Sequence, residues 1–250
     1  MKKIITAFFM AWGMFFSVPC PYRKWDGALR GAMLLCFPMI GALIGGIWAA
    51  VSWLLERAAC PPMLTAVILT AVPFLLTGFI HLDGFMDCCD AILSRRDLEE
   101  RRRILKDSRT GSFAVICIVL LLLTEVSLFD AMDMTGGKRL CLILIPMVSR
   151  LCSALAVFAL EPMPGSSYAG EFRTYLRTWY VPAAAVALIA VTGGMIALTG
   201  RIGFCGLLTA VGAALTIVQG RQQLGGMSGD ISGYALTIGE LCGIAALALL

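Results

Sequence analysis

Charged residues are scarce in this chain, and their scarcity decides its class. Only 14% of the 250 residues are Asp, Glu, Lys or Arg, and 59% are hydrophobic. A soluble domain carries roughly a quarter charged residues. The mean hydropathy of +0.87 points the same way. The composition therefore argues against a soluble globular domain and predicts an integral membrane protein.

The common signs of a structural metal or a disulfide framework are also missing. The sequence has a single histidine, and its ten cysteines form no C-x-x-C pair, so neither a zinc site nor a set of disulfides is expected. Most cysteines lie in apolar stretches, where they act as small buried residues. Because no repeat or low-complexity linker divides the chain, residues 1–250 are predicted to form a single integral membrane domain.

Long stretches almost without charge predict an all-α fold, a polytopic integral membrane helical bundle with about seven transmembrane helices. A membrane span needs about 20 mostly apolar residues. The N-terminal stretch lacks a convincing cleavage site and is predicted to remain as an amphipathic or re-entrant helix. The predicted spans are Leu29–Leu55, Met63–Ile80, Phe113–Phe129, Leu140–Leu160, Val181–Leu198, Gly203–Val218 and Tyr234–Leu250.

The basic residues predict how the bundle is oriented. If residues 1–30 lie inside, the inside segments are 1–30, 81–112, 161–179 and 219–233, and they hold 15 of the 20 Lys and Arg residues. This bias agrees with the positive-inside rule. The net charge of +4 is therefore a topology signal and gives no reason to expect nucleic-acid binding. We expect a multi-pass protein of the bacterial cytoplasmic (inner) membrane, with its active site on the cytoplasmic face.

Three aspartates, Asp83, Asp87 and Asp90, stand at i, i+4 and i+7, so on a helix they share one face. Like charges this close weaken a helix unless a cation lies among them. Mg²⁺ binds one or two carboxylates together with waters and substrate phosphates. The spacing therefore predicts a Mg²⁺ site beside a membrane span. The alternative interpretation is a solvated helix end. The apolar neighbours Leu82 and Phe85 argue against this interpretation.

His81 lies two residues before Asp83, so on one continuous helix it points to the opposite face. It is expected to face the site only if the helix begins near Leu82. Its candidate roles are a general base, a partner for phosphate and a structural hydrogen-bonding residue.

Basic residues follow the aspartates. Arg101, Arg102 and Arg103 are expected on a helix that lies on the cytoplasmic membrane surface, where they are solvated or touch lipid headgroups.

The segment KDSRTGS comes next and predicts a phosphate site. Lys106 and Arg109 offer positive charge, Ser108 offers a hydroxyl group, and Ser112 is predicted to cap the following helix. A helix N-terminus with flanking cations binds anions. Carboxylates for a metal and cations for phosphates within thirty residues are typical of phosphoryl transfer.

Two further polar groups interrupt apolar stretches. Arg150 lies within a predicted span, where a charge is costly and usually functional. It is expected to face the bundle interior and to pair with a substrate phosphate or one of the aspartates. The segment GGMSGDISG supplies Asp230, a candidate ligand for a metal or a hydroxyl group, and Ser228, a candidate phosphate contact. Its glycines fit a cavity lining or close helix packing, and Glu240 is a further acid downstream.

Taken in order, these motifs resemble the cobalamin 5′-phosphate synthase family, also called adenosylcobinamide-GDP ribazoletransferases. The early PxP and FPLVGxxIG patterns of the family are also similar to the N-terminal part of this chain. Four family patterns have counterparts here. The pattern HLDGxxDxxD corresponds to His81–Asp90, and KDSRxGxxG corresponds to Lys106–Gly111. The pattern SR within a span corresponds to Ser149–Arg150, and GGxTGDxxG with a later glutamate corresponds to Gly225–Gly233 with Glu240.

The chain departs from the family patterns at a few places that leave every carboxylate intact. Ser228 replaces a threonine and keeps its hydroxyl group. Ala114 replaces a glycine, Leu236 replaces an asparagine, and Cys88-Cys89 replaces a pair of small residues.

The resemblance implies a Mg²⁺-dependent membrane enzyme late in corrinoid assembly. Its expected substrates are adenosylcobinamide-GDP and α-ribazole or α-ribazole 5′-phosphate. The ribazole hydroxyl group attacks the phosphate attached to cobinamide, and GMP leaves. The expected roles are Mg²⁺ binding for Asp83, Asp87 and Asp90, phosphate binding for Lys106, Ser108, Arg109, Arg150 and Ser228, and orientation or deprotonation of the hydroxyl group for His81 or Asp230.

Two alternatives remain open, and so does the association of the chain into a homo-oligomer. A CDP-alcohol phosphotransferase also uses spaced aspartates on membrane helices. Its pattern has a DG…AR run, whereas here Asp83-Gly84 is not followed by AR at the expected place. An ion-coupled transporter is expected to show inverted repeats and polar groups near the midplane, and no repeat is found in the sequence.

Overall fold

The computed structural model describes residues 2–134, 136–166, 172 and 174–250. These residues form helices and no β-strand, with one isolated bridge between Pro162 and Met227. The predicted all-α fold is confirmed. The helices are α1 Lys2–Phe15, α2 Arg30–Leu35, α3 Phe37–Arg57, α4 Pro62–Leu76, α5 Ile80–Leu93, α6 Leu98–Leu105, α7 Ser112–Asp130, α8 Lys138–Ala159, α9 Tyr180–Thr199, α10 Phe204–Leu224 and α11 Gly229–Leu249.

The protein has several helices that fit a membrane. Five helical stretches in the described part of the chain are long and apolar enough to cross it, or six if α4 and α5 form one bent span. This agrees with a multi-pass membrane protein, but the predicted count of seven is not confirmed. The longest of these stretches, Tyr180–Leu224, is divided into α9 and α10 by the 3₁₀ turn Gly200–Gly203.

The predicted span Met63–Ile80 is wrong at its C-terminal end. Helix α4 ends at Leu76, and α5 begins at Ile80 with its axis bent by 94°. Phe79 adopts a left-handed conformation with φ 63°, which a right-handed helix cannot continue through. The chain therefore turns sharply just before the aspartates.

The last helix begins earlier than predicted. Helix α11 starts at Gly229 and not at Tyr234, because Ser228 caps it by accepting a hydrogen bond from the N–H of Ile231 at 3.2 Å. The helix is therefore 21 residues long, and Asp230 lies in its first turn. Residues 229–233, which were predicted to lie before the last span, are thus part of a helix that is long enough to cross a membrane.

Helix α11 packs against α5, α7, α8 and α10, and two glycines allow its closest contact. A Cβ atom on Gly84 of α5 would lie 2.9 Å from the Cα of Asp230, and one on Gly233 would lie 2.6 Å from the carbonyl oxygen of His81. Small residues let helix backbones approach closely. This contact sets the start of α5 directly beside the start of α11.

The N-terminal helix is part of the bundle. One face of α1, including Ala7, Met10 and Ala11, is buried in the same apolar core as Phe37 and Ile40 of α3. Burial of this face holds the C-terminal end of α1 next to the first turn of α3.

Candidate active site

A cavity of about 330 Å³ lies where the C-terminal end of α1 meets the first turns of α3, α5 and α11. All four segments that were predicted to lie inside contribute to its wall. Segment 161–179 contributes through Met163, Gly165 and Ser166, whereas residues 167–171 and 173 lie outside the described part of the chain. The lining residues are Met14, Phe15, Phe37, Ile80, His81, Asp83, Lys106, Met163, Gly165, Ser166, Gly229, Asp230 and Ser232.

Four of the predicted site residues meet in this cavity: His81, Asp83, Lys106 and Asp230. Asp83 and Lys106 are exposed, and Asp230 is half-buried. The cavity therefore offers carboxylates from two helices and an ammonium group from the loop after α6. Opposite charges around one cavity suit a ligand that carries phosphate groups and a metal ion.

His81 lies within α5 and still lines the cavity together with Asp83, so the expectation that the two would face apart on one helix is wrong. Both stand in the first turn, and the cavity reaches around that helix end. The imidazole ring stacks on Phe15, with centroids 6.2 Å apart, and lies 5.8 Å from Phe37. Its Nε2 atom is buried and has no hydrogen-bond partner among the described residues.

Asp87 is half-buried one turn further along α5. It lies close enough to Asp83, Asp90 and Asp230 for their charges to act on it. In the described part of the chain, however, no three His, Cys, Asp or Glu side chains form a ready-made metal site. Carboxylate oxygens from Asp83 and Asp87 fit Mg²⁺, because this ion takes one or two protein carboxylates and completes its shell with waters and phosphate oxygens.

Asp90 joins α5 to the start of α7. One carboxylate oxygen accepts a hydrogen bond from the N–H of Gly111 at 2.6 Å, and the other accepts one from Ala114 at 2.9 Å. The predicted cap of this helix, Ser112, is wrong: the N-cap residue is Gly111, and the capping carboxylate comes from Asp90. A carboxylate at a helix N-terminus satisfies free N–H groups and complements the helix dipole. The role of Asp90 as a metal ligand stays a prediction.

The other residues of the KDSRTGS segment lie outside the cavity wall. Ser108 and Arg109 are exposed. The guanidinium group of Arg109 donates to Asp107 at 2.8 and 3.1 Å, and this hydrogen bonding lowers the pKa of the Asp107 carboxyl group to about 2. The phosphate contacts predicted for Ser108 and Arg109 therefore stay predictions.

Ser228 is buried and is placed as a helix cap, not in the cavity wall. Besides capping α11, its hydroxyl group lies 3.4 Å from a carboxylate oxygen of Asp230. Ser228 thus orients the acid that does line the cavity, and its predicted phosphate contact stays a prediction.

Arg150 faces the bundle interior as predicted, with 1% of its side chain exposed. The predicted aspartate partner is wrong, because the guanidinium group pairs with Glu240 at 2.6 Å. It also donates to the carbonyl oxygen of Pro146 at 3.1 Å and lies 5.5 Å from the ring centroid of Phe37. Ser149 donates a second hydrogen bond to Glu240 at 2.7 Å. Arg150 thus supports the cavity wall from behind through Phe37.

Sequence reasoning missed Glu125, which is buried within α7 with 4% of its surface exposed. It lies near enough to Glu240 for the two charges to interact. The sequence does contain a signal for Glu125, because an acidic residue inside a predicted span is usually functional. Reasoning from motifs also missed Phe15 and Phe37, whose rings form the apolar wall of the cavity. Their place depends on how α1 packs against α3.

The chain is similar to known proteins over nearly its whole length. The family described as Cobalamin-5-phosphate synthase matches residues 7–248. A protein of Clostridium perfringens (strain ATCC 13124) named adenosylcobinamide-GDP ribazoletransferase is 36% identical over 254 residues, covering 100% of both chains.

Two further relatives carry the same name. The protein from Clostridium botulinum (strain Alaska E43) is 34% identical and covers 98% of this chain and 97% of its own length. The protein from Halalkalibacterium halodurans is 29% identical, with 96% and 94% covered. No solved structure matches this chain.

Proposed function

The chain belongs to the cobalamin-5-phosphate synthase family, and we propose that it is an adenosylcobinamide-GDP ribazoletransferase. Relatives of that name match it over their full length. The observation that carries the proposal is the cavity that Asp83, Asp230 and Lys106 line together. This is the donor set that transfer from a diphosphate requires, and it is assembled from the segments in which the family motifs stand.

In the proposed reaction, a hydroxyl oxygen of α-ribazole, or of its 5′-phosphate, forms a bond to the phosphorus attached to cobinamide. The bond from this phosphorus to the oxygen that bridges to GMP breaks, and GMP leaves with the electron pair. The proton of the hydroxyl group passes to a base in the cavity. The product is adenosylcobalamin or its 5′-phosphate, which completes the nucleotide loop.

The protein's own contribution is positioning and charge. Lys106 supplies a positive charge to the cavity wall and would contact the diphosphate. Asp230 stands on the facing helix, held by the Ser228 cap, and would orient the attacking hydroxyl group or accept its proton. His81 is the second candidate for this role, because no residue in the described part of the chain bonds its buried Nε2 atom, and its side chain lines the cavity.

Asp83 and Asp87, with Asp90 at the end of the same helix face, would hold Mg²⁺. The bound ion would neutralise charge on the phosphate oxygens. This assignment is supported by the spacing of the three acids, by the cavity that Asp83 shares with Lys106 and Asp230, and by the nearness of Asp87 to Asp83 and Asp230. The enrichment of basic residues in the segments around the cavity supports a location in the cytoplasmic membrane with the cavity open to the cytoplasm.

The test is an assay of the purified protein in detergent or liposomes with Mg²⁺. We expect release of GMP from adenosylcobinamide-GDP together with formation of the joined corrinoid, identified by mass. CMP release from a CDP-alcohol without GMP release would favour a CDP-alcohol phosphotransferase instead. Substrate uptake into vesicles with neither product would favour a transporter.

The metal assignment has its own test. The Asp87→Asn variant removes a negative charge at the centre of the acidic cluster and should lower Mg²⁺-dependent turnover by at least about 100-fold, as loss of one electrostatic group in a transfer site commonly does. The variant should still insert and purify. Asp130→Asn is the control, because Asp130 is exposed at the C-terminal end of α7 and does not line the cavity. Near-normal turnover of Asp87→Asn would remove the metal assignment.

A further inference from the structure

The three consecutive arginines of α6 have different surroundings. Arg103 is exposed and pairs with Glu100 of its own helix at 2.6 Å. This matches the expected solvated role. Arg101 and Arg102 are half-buried and turn toward α10, so the expectation of solvent or headgroup contact is wrong for these two side chains.

Arg101 and Arg102 bind the C-terminal end of α10. The Nε atom of Arg102 donates to the carbonyl oxygen of Leu224 at 2.9 Å, and its Nη2 atom donates to that of Gly225 at 3.2 Å. Arg101 donates to the carbonyl oxygen and the side-chain amide oxygen of Gln223. The last carbonyl groups of a helix have no partner within it and carry partial negative charge, so the two guanidinium groups satisfy them.

A side chain on the turn would have to displace the guanidinium group of Arg102. Gly225 has φ 77°, the left-handed conformation that ends many helices. A Cβ atom at Gly225 would lie 2.2 Å from the Nη2 atom of Arg102. The guanidinium group therefore lies directly against the backbone of the turn.

The turn leads directly to the cavity. Met227 follows it and is held by two backbone bonds: its N–H donates to Glu161 and its carbonyl oxygen accepts from Met163, both at 2.8 Å. Ser228 then caps α11, and Asp230 enters the cavity wall. At its C-terminal end, α6 stops at Leu105, and the next residue, Lys106, lines the same cavity.

We propose that α6 is a brace that fixes the separation of Lys106 and Asp230, and that Arg101 and Arg102 are positioning residues for the transfer reaction. The C-terminal end of this brace places Lys106. Arg101 and Arg102 hold the turn that leads to Asp230. The proposal rests on the proposed function, because it gives these two residues their roles in the reaction.

The test compares neighbouring arginines that carry the same charge. Arg102→Ala should lower kcat per folded enzyme by roughly 100-fold, since a misplacement of about 1 Å costs that much, with smaller changes in KM. Arg103→Ala should stay within about twofold of the parent protein. Arg102→Lys should recover part of the lost kcat, because an ammonium group can reach one of the two carbonyl oxygens.

Hydrogen exchange separates the brace from the proposed function. In Arg102→Ala, the amides of residues 226–230 should exchange faster, and in Arg103→Ala they should not. If the parent protein releases no GMP, the proposed function fails, while the exchange measurement still decides whether the brace exists. Equal exchange in the two variants would overturn the brace. Faster exchange with unchanged kcat would overturn the positioning role.

Discussion

At the scale of single residues, the charges buried in the bundle and those on the cavity wall have different surroundings. Arg150 and Glu240 pair inside the bundle, and Asp90 binds two backbone N–H groups. Asp83 and Lys106, which line the cavity, are exposed. Desolvation makes an unpaired charge expensive away from water, so a charge on the wall of an open cavity is available to a charged ligand.

Asp90 and Asp83 should respond differently to loss of charge. Asp90→Asn replaces one acceptor by an NH₂ group that faces a backbone N–H, so the start of α7 should lose about 1 kcal/mol. Asp83→Asn should leave stability unchanged, because Asp83 is exposed. The measurement is the thermal unfolding midpoint in detergent. A midpoint for Asp90→Asn equal to that of Asp83→Asn would contradict the capping role.

The Arg150–Glu240 pair should behave as a unit. Removing one partner, as in Glu240→Leu, leaves the other charge buried and should cost about 3–5 kcal/mol. Replacing both, as in Arg150→Met with Glu240→Leu, should recover most of the lost stability. The thermal unfolding midpoints of the two single variants and the double variant check this. Additive losses would show that the two side chains are not coupled.

At the scale of elements, the site depends on how α5 meets α11. Gly78 and Phe79, both in left-handed conformations, separate α4 from α5, and the 94° bend turns α5 so that its first turn reaches the cavity. The close packing of Gly84 and Gly233 then brings the two first turns together. His81 and Asp230 share one cavity for this reason, although they are far apart in the sequence.

A side chain at Gly233 should therefore separate the two halves of the site. In Gly233→Ala the new Cβ atom would lie 2.6 Å from a backbone oxygen of α5, so the helices must move apart and kcat should fall at least about tenfold. Gly193→Ala in α9 is the matched control, because nothing lies within 4 Å of its Cβ position. That variant should keep its activity. Equal activity of the two variants would count against the packing argument.

At the scale of the whole molecule, the polar segments gather at one cavity and the spans surround it with apolar surface. Helix α7 exposes a large apolar face, as expected for contact with lipid. Its exposed side chains include Val115, Ile116, Val119, Leu120 and Leu123. A charged, water-soluble substrate must then enter from the face where the polar segments lie.

The orientation of the bundle can be measured by labelling. Ser108→Cys, exposed in the loop after α6, should react with a membrane-impermeant maleimide in inside-out vesicles only. Cys60, in the turn between α3 and α4, provides the opposite control and should react only in right-side-out vesicles. The other half-exposed cysteines, such as Cys20, are replaced so that labelling reports only on positions 60 and 108. Labelling of position 108 in right-side-out vesicles would reverse the proposed topology.

Much of the site could be predicted because its chemistry is local in the sequence. Asp83 and Asp87 stand one helical turn apart, and Lys106 follows within thirty residues. The roles of Ser112 and Arg102 could not be predicted in the same way. Their surroundings are set by Asp90 and by the end of α10, and nothing in the local pattern names a partner 21 or 122 residues away.

The sequence by itself determined that this is a helical membrane protein, because burial in lipid requires long apolar runs with internal backbone hydrogen bonds. It also determined which residue types are available for phosphate chemistry. The tertiary structure alone decided that Arg150 pairs with Glu240 and that His81 and Asp83 reach the same cavity. The physical reason is that helix bends and close glycine contacts set where side chains meet, and both depend on packing between segments distant in the chain.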